Sequence, residues 1–70
     1  MKDKTDVIRK RIYVARKKLE YSQEFVANEL EISQRQYSMI ENGQVLLVMD
    51  TLVKIAVALE LDIKELLAGL

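Results

Sequence analysis

Apolar residues recur along this chain with helical spacing. Ile8, Ile12, Ala15 and Leu19 fall at steps of four, three and four, the stripe of an amphipathic helix over about residues 4–19, with Thr5 or Asp3 near its start. Ser22 suits the N-cap of a second helix over about 23–30, with Val26, Ala27 and Leu30 inward. Ser33 suits the N-cap of a third over about 34–42, with Tyr37 and Ile40 inward. Gly43 is placed to end that helix where positive φ is needed. Leu52, Ile55, Ala56 and Leu59 mark a fourth helix over about 49–59. Asp62 opens a fifth, in capping-box spacing with Glu65, and Ile63, Leu66, Leu67 and Leu70 are its apolar residues. Proline is absent, so caps and turns must delimit every helix. No strand pattern competes, and the expectation is an all-α fold of five short helices joined by connections of a few residues.

Seventy residues make a single domain, here 1–70. A core of that size supplies only about 3–5 kcal/mol, so dimerisation would help it. Half the residues are hydrophobic, which suits a packed core and argues against disorder. No apolar run approaches the ~18 residues of a membrane span and no signal peptide is apparent, so the expected compartment is the cytoplasm. Cysteine and histidine are both absent, which removes disulfides, thiolate chemistry, Cys/His zinc sites and histidine bases together. The only glycines are Gly43 and Gly69, so no phosphate-cradling loop exists. No enzyme, cofactor or metal is expected.

The net charge of zero hides a strong asymmetry. Residues 1–18 carry eight bases (Lys2, Lys4, Arg9, Lys10, Arg11, Arg16, Lys17, Lys18) against two acids, while residues 19–70 carry three bases against nine acids. A basic first helix suits an anionic partner, although a solvated charged face would read the same way.

The stretch 23–42, QEFVANELEISQRQYSMIEN, reads as two short helices joined by a tight turn. A helix entering the major groove needs a short turn before it, a small residue where the two helices meet, and polar side chains outward. Ala27 is the small residue, Glu31-Ile32-Ser33 is the turn with Ile32 free to plug the core, and Gln34, Arg35, Gln36 and Ser38 are the polar surface around Tyr37 and Ile40. Together with IRKRIYVARKK, YSQEFVANELEIS, QYSMIENG and MDTLVKIAVALELDIKELL, this stretch resembles the helix-turn-helix domains of the lambda-type repressor and Cro (XRE-like) family over about residues 5–67.

The resemblance implies a compact five-helix DNA-binding domain with its helix-turn-helix at helices 2 and 3. By it, the chain is a sequence-specific double-stranded DNA binder of a bacterial or phage regulator, a repressor reading an inverted-repeat operator. Gln23 would reach a phosphate or support the base reader, and Gln34 looks like the family's adenine-contacting glutamine. Arg35 would read guanine, because its fork matches O6 and N7. Gln36, Ser38 and Met39 would flank them, with Met39 able to touch a thymine methyl, and Asn42 sits where the family contacts phosphate. Arg16 and Glu41 would pair as a structural tie between helix 1 and helix 3.

Two features depart from the family. Glu31 stands where glycine is usual in the turn, a site that needs a left-handed backbone. After Gly43 the chain reads Gln44-Val45-Leu46-Leu47-Val48-Met49, where the family often has basic residues, a proline and a Ser/Thr cap. Phosphate contacts dominate affinity, so Lys10, Lys17 and Lys18 of helix 1 are left to supply them. Leu47 and Met49 are expected to turn inward. Val45, Leu46 and Val48 would then form an exposed patch which, with Leu67 and Leu70, is expected to be a homodimer interface, the alternatives being core burial or a different partner. The competing function is a protein-interaction or antitoxin-type module using the apolar 45–48 loop and helix 5.

Overall fold

A computed structural model describes residues 3–70. It consists of five α-helices: α1 (Lys4–Lys18), α2 (Gln23–Glu29), α3 (Gln34–Glu41), α4 (Met49–Ala58) and α5 (Ile63–Leu67). No strand occurs among the described residues.

Local chemistry sets the helix starts. The Asp3 side chain accepts from the Asp6 amide and Asp6 returns a bond to the Asp3 amide, closing a capping box at α1. Ser22 caps α2 through the Phe25 amide. Ser33 with Gln36 and Asp62 with Glu65 close the boxes of α3 and α5. The N-cap of α4 is Val48, whose side chain makes no capping bond.

The helix ends repeat one device. Leu19-Glu20-Tyr21, Leu30-Glu31-Ile32 and Leu59-Glu60-Leu61 each place a leucine at the C-cap, a glutamate in the left-handed region and an apolar residue after it. The φ values of the three glutamates are 58°, 60° and 59°. In each case the apolar residue's amide returns to a helix carbonyl, Tyr21 to Arg16, Ile32 to Ala27 and Leu61 to Ala56, which is the Schellman pattern. Ser22, Ser33 or Asp62 follows at once and caps the next helix. Glu31 thus holds the left-handed position of the turn inside the helix-turn-helix, as Glu20 and Glu60 do in theirs. At α3 the same closure uses Gly43, φ 80°, with the Gln44 amide on the Met39 carbonyl.

The helices pack with α2 against α3, α1 against α3 and α5, and α4 against α2 and α5. The core lies where their inward stripes meet: Ile8 and Ile12, Val26 and Ala27, Tyr37, then Leu52, Ile55, Ala56, Leu59 and Leu66. Ala15, Leu19, Leu30, Ile32, Ile40, Ile63 and Leu67 pack partly buried around it. Fully buried Ala27 leaves room for the close crossing of α2 and α3.

The apolar loop divides differently from expectation. Leu47 turns inward against the core, and Val45, Leu46 and Val48 are exposed. Met49 does not turn inward: it is 59% exposed. It is the first residue of α4, whose inward face is set by Leu52, Ile55 and Ala56, and helical geometry aligns it instead with outward Val53 and Val57.

Candidate nucleic-acid interface

The outer face of α3 carries exposed Gln34 and Arg35 at the helix's first turn, where a groove-reading helix presents its contacts. Ser38 and Met39 follow one turn later, half-buried. Gln34, Arg35, Ser38 and Met39 join Gln23 of α2 and Gln44 of the following loop around one shallow concavity of about 500 Å3. Two of the expected contact residues are engaged elsewhere. The Gln36 amide oxygen accepts from the Ser33 backbone amide at 3.1 Å, so this side chain folds back over the helix start. Asn42 donates to the Ser38 hydroxyl at 3.2 Å and borders a neighbouring depression with Lys10, Tyr13 and Gln23.

Gln44 also lines the concavity, a place the sequence reading does not assign to it. A signal was present: three helices are followed by an apolar residue after the left-handed position, Tyr21, Ile32 and Leu61, whereas α3 is followed by polar, exposed Gln44.

Behind the concavity lies a buried polar cluster. Arg16 meets Glu41 through Nε on Oε2 at 3.0 Å and Nη2 on Oε1 at 2.9 Å. Tyr37 donates its hydroxyl to Glu41 Oε2 at 2.6 Å, Gln23 donates to Oε1 at 3.3 Å, and Arg16 Nη1 donates to the Tyr21 carbonyl at 2.8 Å. Burial raises the Glu41 carboxyl's pKa, but hydrogen bonds from Arg16, Tyr37 and Gln23 outweigh it and hold the carboxyl below its usual range. Burial, and donation to Glu41, push the Tyr37 phenol far upward, so it stays a donor. The bond to Glu41 raises Arg16. Among the described residues no buried side-chain polar atom lacks a partner. Gln23 thus links this cluster to the concavity.

The arginines of α1 serve the scaffold more than the surface. Arg9 donates through Nε to the Ile40 carbonyl and through Nη2 to the Val45 carbonyl, both at 3.1 Å, gripping the end of α3 and the loop beyond it. Arg11 donates to the Leu66 carbonyl in α5 at 3.1 Å. Lys4, Lys10, Lys17 and Lys18 remain exposed, and Lys2 lies outside the described residues. Lys10 borders the depression beside α3, and Lys17, seven residues on, shares its helix face. Lys18 does not border that depression; it lines the groove between α1 and the α4–α5 corner with Val14, Leu61 and Leu66, a groove that Lys10 also borders.

Five short helices, a tight capped turn and a polar-faced second helix define a helix-turn-helix DNA-binding domain. Residues 10–70 match the family model described as a helix-turn-helix domain, and the chain belongs to that family, in its XRE-like form. No curated protein and no solved structure matches it. The chain is accordingly a DNA-binding domain of the kind transcription regulators carry, in a family that is typically not enzymatic. Among the described residues no helix is long and apolar enough to cross a membrane.

Proposed function

We propose that the chain reads a specific double-stranded DNA sequence as a bacterial or phage regulator, acting as a repressor in the cytoplasm. The observation that carries this reading is the single concavity in which Gln34 and Arg35 stand beside Gln23, Ser38, Met39 and Gln44. An exposed guanidinium beside carboxamides at the start of α3 matches what guanine and adenine edges present in the major groove. Lys10 and Lys17 are the phosphate contacts on the adjoining face of α1. Repression needs only occupancy of the operator.

The working unit is a homodimer. Val45, Leu46 and Val48 expose apolar surface that a domain this small has reason to cover. Two copies related by a two-fold axis place their α3 helices on half-sites roughly 34 Å apart, so the operator is an inverted repeat. Leu67 is partly buried against the core and Leu70 is exposed after Gly69, leaving Leu70 the freer of the two to reach a partner.

The same exposed loop favours the second reading, a module that docks another protein, as an antitoxin does. Selection of bound sequences from a random duplex pool, followed by titration of the winner against salt, separates the two. The DNA reading requires an enriched inverted repeat and affinity that falls steeply with salt. No enrichment, with a salt-insensitive protein partner, would overturn it.

A further inference from the structure

The outer face of α4 is apolar along its length. Met49, Val53 and Val57 are exposed at steps of four, and the strip runs back through Val48 to Leu46. Its two ends are its most exposed points, Val57 at 73% and Leu46 at 87%. Beside it lie the only charges of the helix, Asp50 and Lys54, one turn apart and 3.3 Å from each other. The start of α4 gives the strip added weight. Each of the other four helices begins with a side-chain cap from Asp3, Ser22, Ser33 or Asp62, whereas α4 begins with exposed, non-capping Val48.

Resting on the homodimer reading above, we propose that α4 is the two-fold seam of the dimer, packed antiparallel on the α4 of a second copy. The charges and the apolar strip argue for the same axis. Opposite charges four residues apart are self-complementary under a two-fold axis midway between them: Asp50 faces the partner's Lys54, and Lys54 faces the partner's Asp50. That midpoint is residue 52. Within α4 the exposed stripe of Met49, Val53 and Val57 centres on Val53, one residue away, so the axis that pairs the charges also lays the two stripes against one another. Parallel packing would instead oppose Asp50 to itself and Lys54 to itself. A foreign partner would require no such self-complementarity.

The test is sedimentation of the full chain at low salt, with circular dichroism confirming the fold of each variant. Asp50→Lys and Lys54→Asp each put like charges across the seam and should weaken their own dimer roughly tenfold or more. Mixed together, the two variants restore opposition at both contacts and should form a heterodimer at least as tight as the wild-type dimer. No intramolecular rescue can produce that result, because each variant still carries like charges within its own helix. Val57→Lys should weaken the dimer without any heterodimer rescue. Single variants that dimerise like wild type, or a mixture no tighter than its components, overturn the seam while leaving the homodimer reading intact. A wild-type chain that stays monomeric at every concentration, free and on its selected operator, overturns both.

Discussion

Arg16 of α1 and Glu41 at the end of α3, 25 residues apart, meet through two hydrogen bonds in a site almost closed to water. The pair ties α1 to the last residue of α3. It also holds Gln23, which donates to the same carboxylate and lines the concavity beside α3. A buried ion pair is weak evidence of net stability, because both charges lose water, but removing one partner strands the other. Arg16→Ala should therefore cost about 3–5 kcal/mol in urea unfolding. It should lower affinity for all sequences alike through loss of folded protein. Stability within about 1 kcal/mol of wild type would show that the pair is dispensable.

The same carboxylate sets a pH limit. Hydrogen bonds hold the Glu41 pKa below the ordinary 4.5 despite burial, so the folded state binds its proton less readily than the unfolded chain. The stabilisation is complete above the unfolded value and is lost as pH falls through the folded one. Asp3 shifts the same way, chiefly through its bond from Thr5. Stability should thus fall on the acid side of pH 4.5, and Glu41→Gln should be less stable at neutral pH with a flatter acid limb. Parallel acid limbs for the two proteins would place the proton uptake elsewhere.

Glu20, Glu31 and Glu60 hold left-handed backbone that costs a residue with a β-carbon about 1–2 kcal/mol relative to glycine. Glycine loses more entropy on folding, which offsets part of that difference. Glu31→Gly and Glu20→Gly should each raise stability by roughly 0.5–1 kcal/mol in thermal or urea unfolding. Glu60→Gly should gain less, since Glu60 accepts the Tyr21 hydroxyl at 3.0 Å. Gly43→Ala should go the other way by about 1 kcal/mol. Its added methyl would meet the Arg9 guanidinium at an ordinary 3.5 Å, so the loss comes from φ, not from a clash. If Glu31→Gly destabilised the protein, that side chain would have a role beyond closing the turn.

What the sequence revealed about the fold follows from short-range rules. Spacing of Ile8, Ile12, Leu52 and Ile55 located the stripes, and Ser22, Ser33, Gly43 and Asp62 located the ends, because caps act within a few residues. The roles of Arg9 and Arg11 are hidden in the sequence, since their partners are carbonyls of Ile40, Val45 and Leu66, more than thirty residues away in the chain, and no local pattern marks a carbonyl. Arg9 lies seven residues before Arg16 and shares its face, so an inward Arg16 already argued for a scaffold role for Arg9. Met49 departs from the inward placement expected of it because a helix's first residue takes its face from the residues after it. Gln36 has a contact's place on α3, while its spacing from Ser33 fits the capping box it forms.

The reading surface and its electrostatic support separate by mutation. Arg35→Ala removes the only guanidinium in the concavity and should cost roughly 1–3 kcal/mol on the selected operator. The cost should concentrate at one base pair, where preference relaxes. Lys10→Ala and Lys17→Ala should instead weaken every sequence equally, each lowering the slope of log affinity against log salt by about 0.9. Lys18→Ala is the control: it removes the same charge from the groove beside α5 and should leave that slope unchanged. Binding isotherms on the operator and on a scrambled duplex, repeated over a range of salt, measure all four. Should Arg35→Ala weaken both duplexes equally, Arg35 contacts phosphate. Base reading would then fall to Gln34 and Gln44, and Gln34→Ala would have to carry the loss of discrimination in its place.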